Sequence, residues 1–120
     1  MSAVADDQFK SAANLLKALS HPLRLELVCG LRHQPCTQTF IADTLDLPQS
    51  TVAQHLKVLR AEGLVKSERR GVEVVFSLAD PQLMEILDTL CSKDGHSVRN
   101  GYTWEELAAV DRARRSSSGG

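Results

Sequence analysis

The feature that most constrains this chain is a change of pattern at Gly63, from helical spacing to two short β-type runs. Upstream lie two brief helical segments separated by Asp46-Leu47-Pro48, which reads as a turn. The first is opened by Thr37 or Thr39 as cap and carries Phe40, Ile41 and Leu45. The second, Gln49 to Glu62, takes Pro48 at its start, and Val52, Leu56 and Leu59 form a narrow apolar stripe along it. Gly63 fits the left-handed position just past a helix end. Downstream, Leu64 to Arg70 and Val72 to Leu78 flank Arg70-Gly71 and read as a hairpin. Two short helices joined by a tight turn and followed by a hairpin predict a mainly α fold with a β-hairpin wing, a winged helix-turn-helix.

The rest of the chain supports that unit. Phe9, Ala12, Ala13, Leu16 and Leu19 recur at helical spacing between Asp6 and Ser20. Ser20-His21-Pro22 reads as cap, lead-in and early-turn proline for a second helix through Leu23, Leu27, Val28 and Leu31, ending near Arg32. Asp80-Pro81 starts a fifth helix with Leu83, Met84, Ile86, Leu87, Leu90 and Cys91. Its apolar positions cover over half the circumference, more than one small core needs. A second copy of the chain is therefore the expected partner for this helix. The domain then covers residues 1–91, followed by a polar linker over 92–102. Thr103-Trp104-Glu105-Glu106 is a capping box for a last helix over 103–115, and 116–120 is a tail. Tyr102 and Trp104 are expected to pack this helix onto the body. Arg112, Arg114 and Arg115 suit its C-terminal dipole and would meet phosphate if this end ran near a duplex.

The face of the Gln49–Glu62 helix opposite its stripe carries Gln49, Ser50, Thr51, Gln54, His55 and Lys57. Short donors and acceptors, with a glutamine able to bond adenine through two hydrogen bonds, suit a DNA groove better than a merely solvated face does. The chain's net charge is −1, so no whole-domain basic footprint exists. Locally the balance differs: from Gln54 to Arg70 there are five cations and two anions, a net of +3. Arg69 and Arg70 sit at the expected hairpin tip, placed to reach a DNA backbone or minor groove. A pair of such helices reads half-sites about one helical turn apart on double-stranded DNA, so a homodimer is the natural assembly.

Other classes are disfavoured. No phosphate loop, nucleophile elbow or metal-binding His-Glu motif is present, so neither an enzyme nor a cofactor is expected. A winged helix that binds protein rather than DNA is the remaining alternative. No apolar run approaches the roughly 18 residues of a membrane span. Met1 to Lys10 has no apolar leader region, so a cytoplasmic setting is expected. Three cysteines, Cys29, Cys36 and Cys91, are an odd number and fit free thiols in a reducing compartment better than a disulfide scaffold.

Two stretches carry a family resemblance. Residues 16–25, Leu-Lys-Ala-Leu-Ser-His-Pro-Leu-Arg-Leu, precede residues 49–65, Gln-Ser-Thr-Val-Ala-Gln-His-Leu-Lys-Val-Leu-Arg-Ala-Glu-Gly-Leu-Val, and together they resemble the ArsR/SmtB winged-helix repressors. The resemblance covers roughly residues 9 to 91. It implies a homodimer built by the first and fifth helices, a palindromic operator, and an inducer that releases the DNA.

The resemblance also offers inducer sites to compare. The family's zinc site on the fifth helix needs Asp-x-His; here Asp80 is followed by Pro81 and Gln82, and Asp94-Gly95-His96 falls in the linker. The arsenic- and cadmium-type site needs Cys-x-Cys where this chain has Thr37-Gln38-Thr39, with Cys36 beside it. Residues 15–29 are similar to the persulfide-sensing (BigR-like and SqrR-like) branch, which implies a dithiol of Cys29 and Cys91. Cys91 falls about one turn early, a shift of roughly 6 Å along the helix axis. A bridge needs Cα atoms within about 7 Å, so that offset argues against direct pairing. The expected inducer is a small thiol-reactive species, a persulfide, polysulfide or oxidant, acting on Cys29 and Cys91. The alternative is arsenite or another soft metal on Cys29, Cys36 and Cys91.

Overall fold

The computed structural model describes residues 3–91, 97–99 and 102–118. In chain order these form α1 (Ala3–Leu19), α2 (Pro22–Leu31), β1 (Cys36–Thr37), α3 (Gln38–Leu45) and α4 (Gln49–Ala61). The hairpin strands β2 (Val65–Arg70) and β3 (Glu73–Leu78) follow, then α5 (Pro81–Leu90), β4 (Ser97–Arg99), β5 (Tyr102–Thr103) and α6 (Trp104–Ser118).

Local chemistry sets the helix ends. Ser20 closes α1 rather than opening α2: its hydroxyl donates to the Lys17 carbonyl at 2.7 Å. The cap of α2 is His21, whose Nδ1 accepts the Leu23 N–H at 3.1 Å. Pro22 has no N–H, so Leu23 supplies the first unsatisfied donor, and an imidazole reaches it. Thr37 caps α3 by accepting the Phe40 N–H at 3.1 Å. Asp46 ends α3 in a left-handed conformation (φ 54°, ψ 52°), a position a short polar side chain tolerates. There the Leu47 N–H donates to the Ala42 carbonyl at 3.0 Å. Pro48 stands just before α4 and receives the Thr51 and Val52 N–H groups on its carbonyl. Gly63, at φ +75°, completes the exit from α4: its N–H bonds Arg60 and that of Leu64 bonds Leu59.

The wing is a three-stranded antiparallel sheet in the order β1-β3-β2. β2 and β3 pair from Val65↔Leu78 to Arg70↔Glu73, turning through Gly71 at φ +64°. β1 adds Cys36↔Phe76 and Thr37↔Val75 on the other edge of β3, a third strand that the sequence reading lacked.

The core collects one face of each helix. Leu27, Val28, Ile41, Val52, Leu56, Leu59, Leu83 and Leu87 are all but inaccessible. Burying a side chain of this size contributes roughly 1.5–3 kcal/mol. By contrast Phe9, Leu16, Ile86 and Leu90 stay exposed, at 67%, 61%, 38% and 57%. The apolar face read from α1 thus points largely away from the chain's own core, as does half of that on α5.

The segment taken as a linker carries structure, because β4 pairs with β5. The last helix runs to Ser118, beyond the expected end at Arg115. Its capping box closes reciprocally, with Glu106 N–H on Thr103 Oγ1 and Thr103 N–H on Glu106 Oε1, each at 3.1 Å. Trp104, buried, seats α6 on the body. Its ring lies against Gly30 of α2 and meets Phe40 of α3 edge-on, with centroids 5.9 Å apart. Gln34 adds a hydrogen bond to the Ala108 carbonyl at 3.3 Å. Asp94-Gly95-His96 lies outside the described residues.

Candidate nucleic-acid interface and thiol pair

The stripe Val52, Leu56 and Leu59 holds α4 against the core, which turns its polar face outward. Gln49, Ser50, Gln54 and Lys57 are exposed, whereas Thr51 and His55 are half-buried. No side chain caps the start of α4, so the helix presents a bare N-terminus beside these residues. Gln49 is already engaged: Gln38 Nε2 donates to its Oε1 at 3.1 Å, and its own Nε2 donates to Thr39 Oγ1 at 3.3 Å. That clasp locks the start of α3 to the start of α4 and makes Gln49 a positioning residue as well as a surface one. His55 leans the other way, its ring 4.5 Å from that of His21. Burial lowers the pKa of His55, and the charges of His21 and Arg24 lower it further. Ser50, Gln54 and Lys57 are therefore the side chains of this α4 set most free to meet an outside partner.

The wing frames this surface. A pocket of about 210 Å3, lined in part by Gln38, Gln49, Val72 and Glu73, lies between the helix starts and the hairpin tip. Val72 at the tip is 95% exposed. Arg69 and Arg70 are exposed beside it; Arg69 Nε donates to the Gly71 carbonyl at 3.3 Å, and Arg70 pairs with Glu68 at 3.1 Å. Behind the reading face, Arg60 bonds Ser67 Oγ at 3.0 Å and fixes the angle between α4 and the wing.

Cys29 of α2 and Cys91, one residue past α5, are joined by a disulfide, with Cα atoms 6.1 Å apart. The one-turn axial offset does not keep the pair apart. An offset along one helix becomes a separation only when the crossing of the two helices is known. The Cys91 N–H still bonds the Leu87 carbonyl at 2.7 Å, so the residue continues the α5 turn. Nearby, Arg32 at the end of α2 pairs with Asp88 of α5 at 3.0 Å. Cys36 stands apart as a buried free thiol. Burial pushes its pKa up to about 11; the Trp104 indole N–H offsets part of that rise, and Asp111 adds to it. That N–H is too loosely placed for a full hydrogen bond and has no other partner among the described residues. Among the described residues no three His, Cys, Asp or Glu side chains gather closely enough to hold a metal ion. In this disulfide-bonded form Cys36 is not gathered with Cys29 and Cys91 into such a group. No helix among the described residues is long and apolar enough to cross a membrane.

Fold and surface together define a winged helix-turn-helix protein. Residues 21–67 match the model of the bacterial regulatory protein, arsR family. Over 78 residues the chain is 45% identical to the HTH-type transcriptional repressor SmtB of Mycobacterium tuberculosis; the match covers 64% of this chain and 57% of that protein, so the chain spans little more than half of it. It is 35% identical over 78 residues to the biofilm growth-associated repressor of Xylella fastidiosa, covering 65% of this chain and 68% of the relative. The crystal structure of the transcriptional repressor BigR from Xylella fastidiosa superposes with a TM-score of 0.67 at 30% identity, covering 78% of this chain and all of that one. Reduced HlyU from Vibrio cholerae gives a TM-score of 0.69 at 27% identity, covering 74% and 94%. The chain belongs to the arsR family.

Proposed function

We propose that this protein is a homodimeric, DNA-binding transcriptional repressor whose operator affinity is set by the thiol state of Cys29 and Cys91. The single observation that carries the DNA reading is the outward polar face of α4, with Gln54 and Lys57 exposed and an arginine-bearing wing standing over the helix start. The exposed apolar residues Phe9 and Leu16, seven positions apart on α1, and Ile86 and Leu90, four apart on α5, each line one face. A second copy is the natural cover for those faces, and a twofold pair supplies the two reading helices that a palindromic operator requires.

The sensing reading rests on the 6.1 Å Cα separation of Cys29 and Cys91. With both thiols reduced, a thiolate attacks a sulfane sulfur of a polysulfide, forming a cysteine persulfide and displacing a polysulfide shorter by one sulfur. The second thiolate then attacks the sulfur still bonded to the first cysteine. The protein disulfide forms and hydrosulfide leaves; two thiols are oxidised and one sulfane sulfur is reduced. The bond ties α2 to the end of α5, the element that also carries the exposed apolar pair, so it can alter how two copies sit together.

The test is anisotropy of a duplex selected from a random library, with reduced protein before and after polysulfide. Wild type is expected to bind and then release, with mass spectrometry showing the Cys29–Cys91 bond. Cys29→Ser is expected to bind equally and to ignore polysulfide. A Cys29→Ser protein that still releases the duplex removes the dithiol reading; a reduced wild type that selects no duplex removes the repressor reading.

A further inference from the structure

The α6 helix lies beyond residues 21–67 and is not needed to build the helix-turn-helix. It nonetheless ends up beside the wing. A cavity of about 240 Å3 is lined at once by Arg70, the last residue of β2, and by Arg112 in the third turn of α6, with Cys36, Val75 and Asp111 between them. The charges at this edge balance unevenly. Glu68 takes Arg70 at 3.1 Å, and Asp111 takes Arg114 at 3.3 Å. Arg112 is exposed and has no hydrogen bond or ion pair among the described residues. Among the described residues it is a surplus cation at the place where α6 meets the wing.

An exposed cation with no partner on the protein is hydrated and free to meet an anion from outside. Its neighbour across the cavity is Arg70 of the wing, so the surface is continuous with the interface that the DNA-binding reading assigns there. The adjoining groove between α3 and α6 carries four carboxylates, Asp43, Asp46, Glu73 and Asp111, against the single cation Arg114. Phosphate is repelled from that groove, which leaves the wing side of α6 as the approach.

We propose that Arg112 of α6 makes a DNA phosphate contact that extends the duplex-binding surface outward from the wing. The proposal rests on the DNA-binding reading above. The contact is to backbone and carries no sequence information, so it acts equally on any duplex. Each phosphate contact contributes about 0.9 to the slope of log affinity against log salt. Over a fourfold rise in salt one such contact therefore changes affinity roughly three- to fourfold, and each protomer supplies its own Arg112.

The test measures anisotropy of a 30-bp mixed-sequence duplex from roughly 50 to 200 mM KCl, the range in which counterion release is read. Arg112→Gln is expected to flatten the slope by about 0.9 per protomer, while Arg112→Lys, which keeps the charge, holds the wild-type slope. Lys57→Gln on α4 is the control. If Lys57→Gln flattens the slope and Arg112→Gln does not, the α6 contact is overturned and DNA binding stands. If neither changes it, the duplex does not bind where both readings place it and both fall. If Arg112→Lys is as weak as Arg112→Gln, the loss belongs to packing of α6 and the proposal is overturned.

Discussion

Gly30→Ala tests how α6 is held, because two effects of opposite sign meet at one methyl group. In an exposed helix interior, replacing glycine by alanine stabilises by about 1 kcal/mol. At Gly30 an added Cβ would stand 2.6 Å from Cζ2 of Trp104 and closer still to two other ring atoms. The ring has little room to give, since it is 4% exposed and braced by Phe40. Overpacking of this kind costs typically 1–3 kcal/mol, and a rigid indole puts the case at the upper end. Subtracting the helix gain leaves a net loss of about 2 kcal/mol, or roughly 8 °C in Tm for a domain of this size. The background Trp104→Ala separates the two effects. That change alone costs about 3–5 kcal/mol, but with the indole gone the second change, Gly30→Ala, should raise Tm by about 4 °C. Calorimetry on the four proteins gives the coupling, expected near 3 kcal/mol. Trp104 is the single tryptophan, so its emission should also shift red in Gly30→Ala. A Gly30→Ala protein more stable than wild type would refute the seating of Trp104 on α2.

Two further outcomes are expected. Gln54→Ala should cost about 1–3 kcal/mol on a selected duplex and little on random DNA, measured by competition; an equal loss on both removes base readout at Gln54. Cys36 links stability to alkaline pH. Its thiol ionises near 9.0 when unfolded and near 11 when folded, so the folded state holds the proton more tightly. The resulting stability is complete below pH 9 and is lost as pH rises to 11, a total of about 3 kcal/mol. Urea midpoints for wild type and Cys36→Val should converge across that window, and parallel curves would show that the thiol is not sequestered.

Much of this architecture is legible in the sequence because it is written in local chemistry. The capping box at Thr103, the left-handed exit at Gly63 and the hairpin about Gly71 each need only neighbouring residues, and each forms. What was missed depends on partners far along the chain. β1 is two residues long and exists only because Phe76 and Val75 lie opposite it. Gln49 and His55 both read as groove residues; that Gln38 and Thr39 also close on Gln49, and that the His21 ring lies beside His55, depends on partners outside α4. The choice between Ser20 and His21 as the α2 cap was local but close, decided by the preference of the Ser20 hydroxyl for Lys17.

Thr37 serves two masters. Its backbone belongs to the sheet opposite Val75, and its side chain holds the first turn of α3. Since the Gln38–Gln49 clasp then ties α3 to α4, a chain of contacts runs from the ribbon to α4. On the DNA-binding reading proposed above, a strain entering at either element would be felt at the other, through a two-residue strand that no local pattern announces.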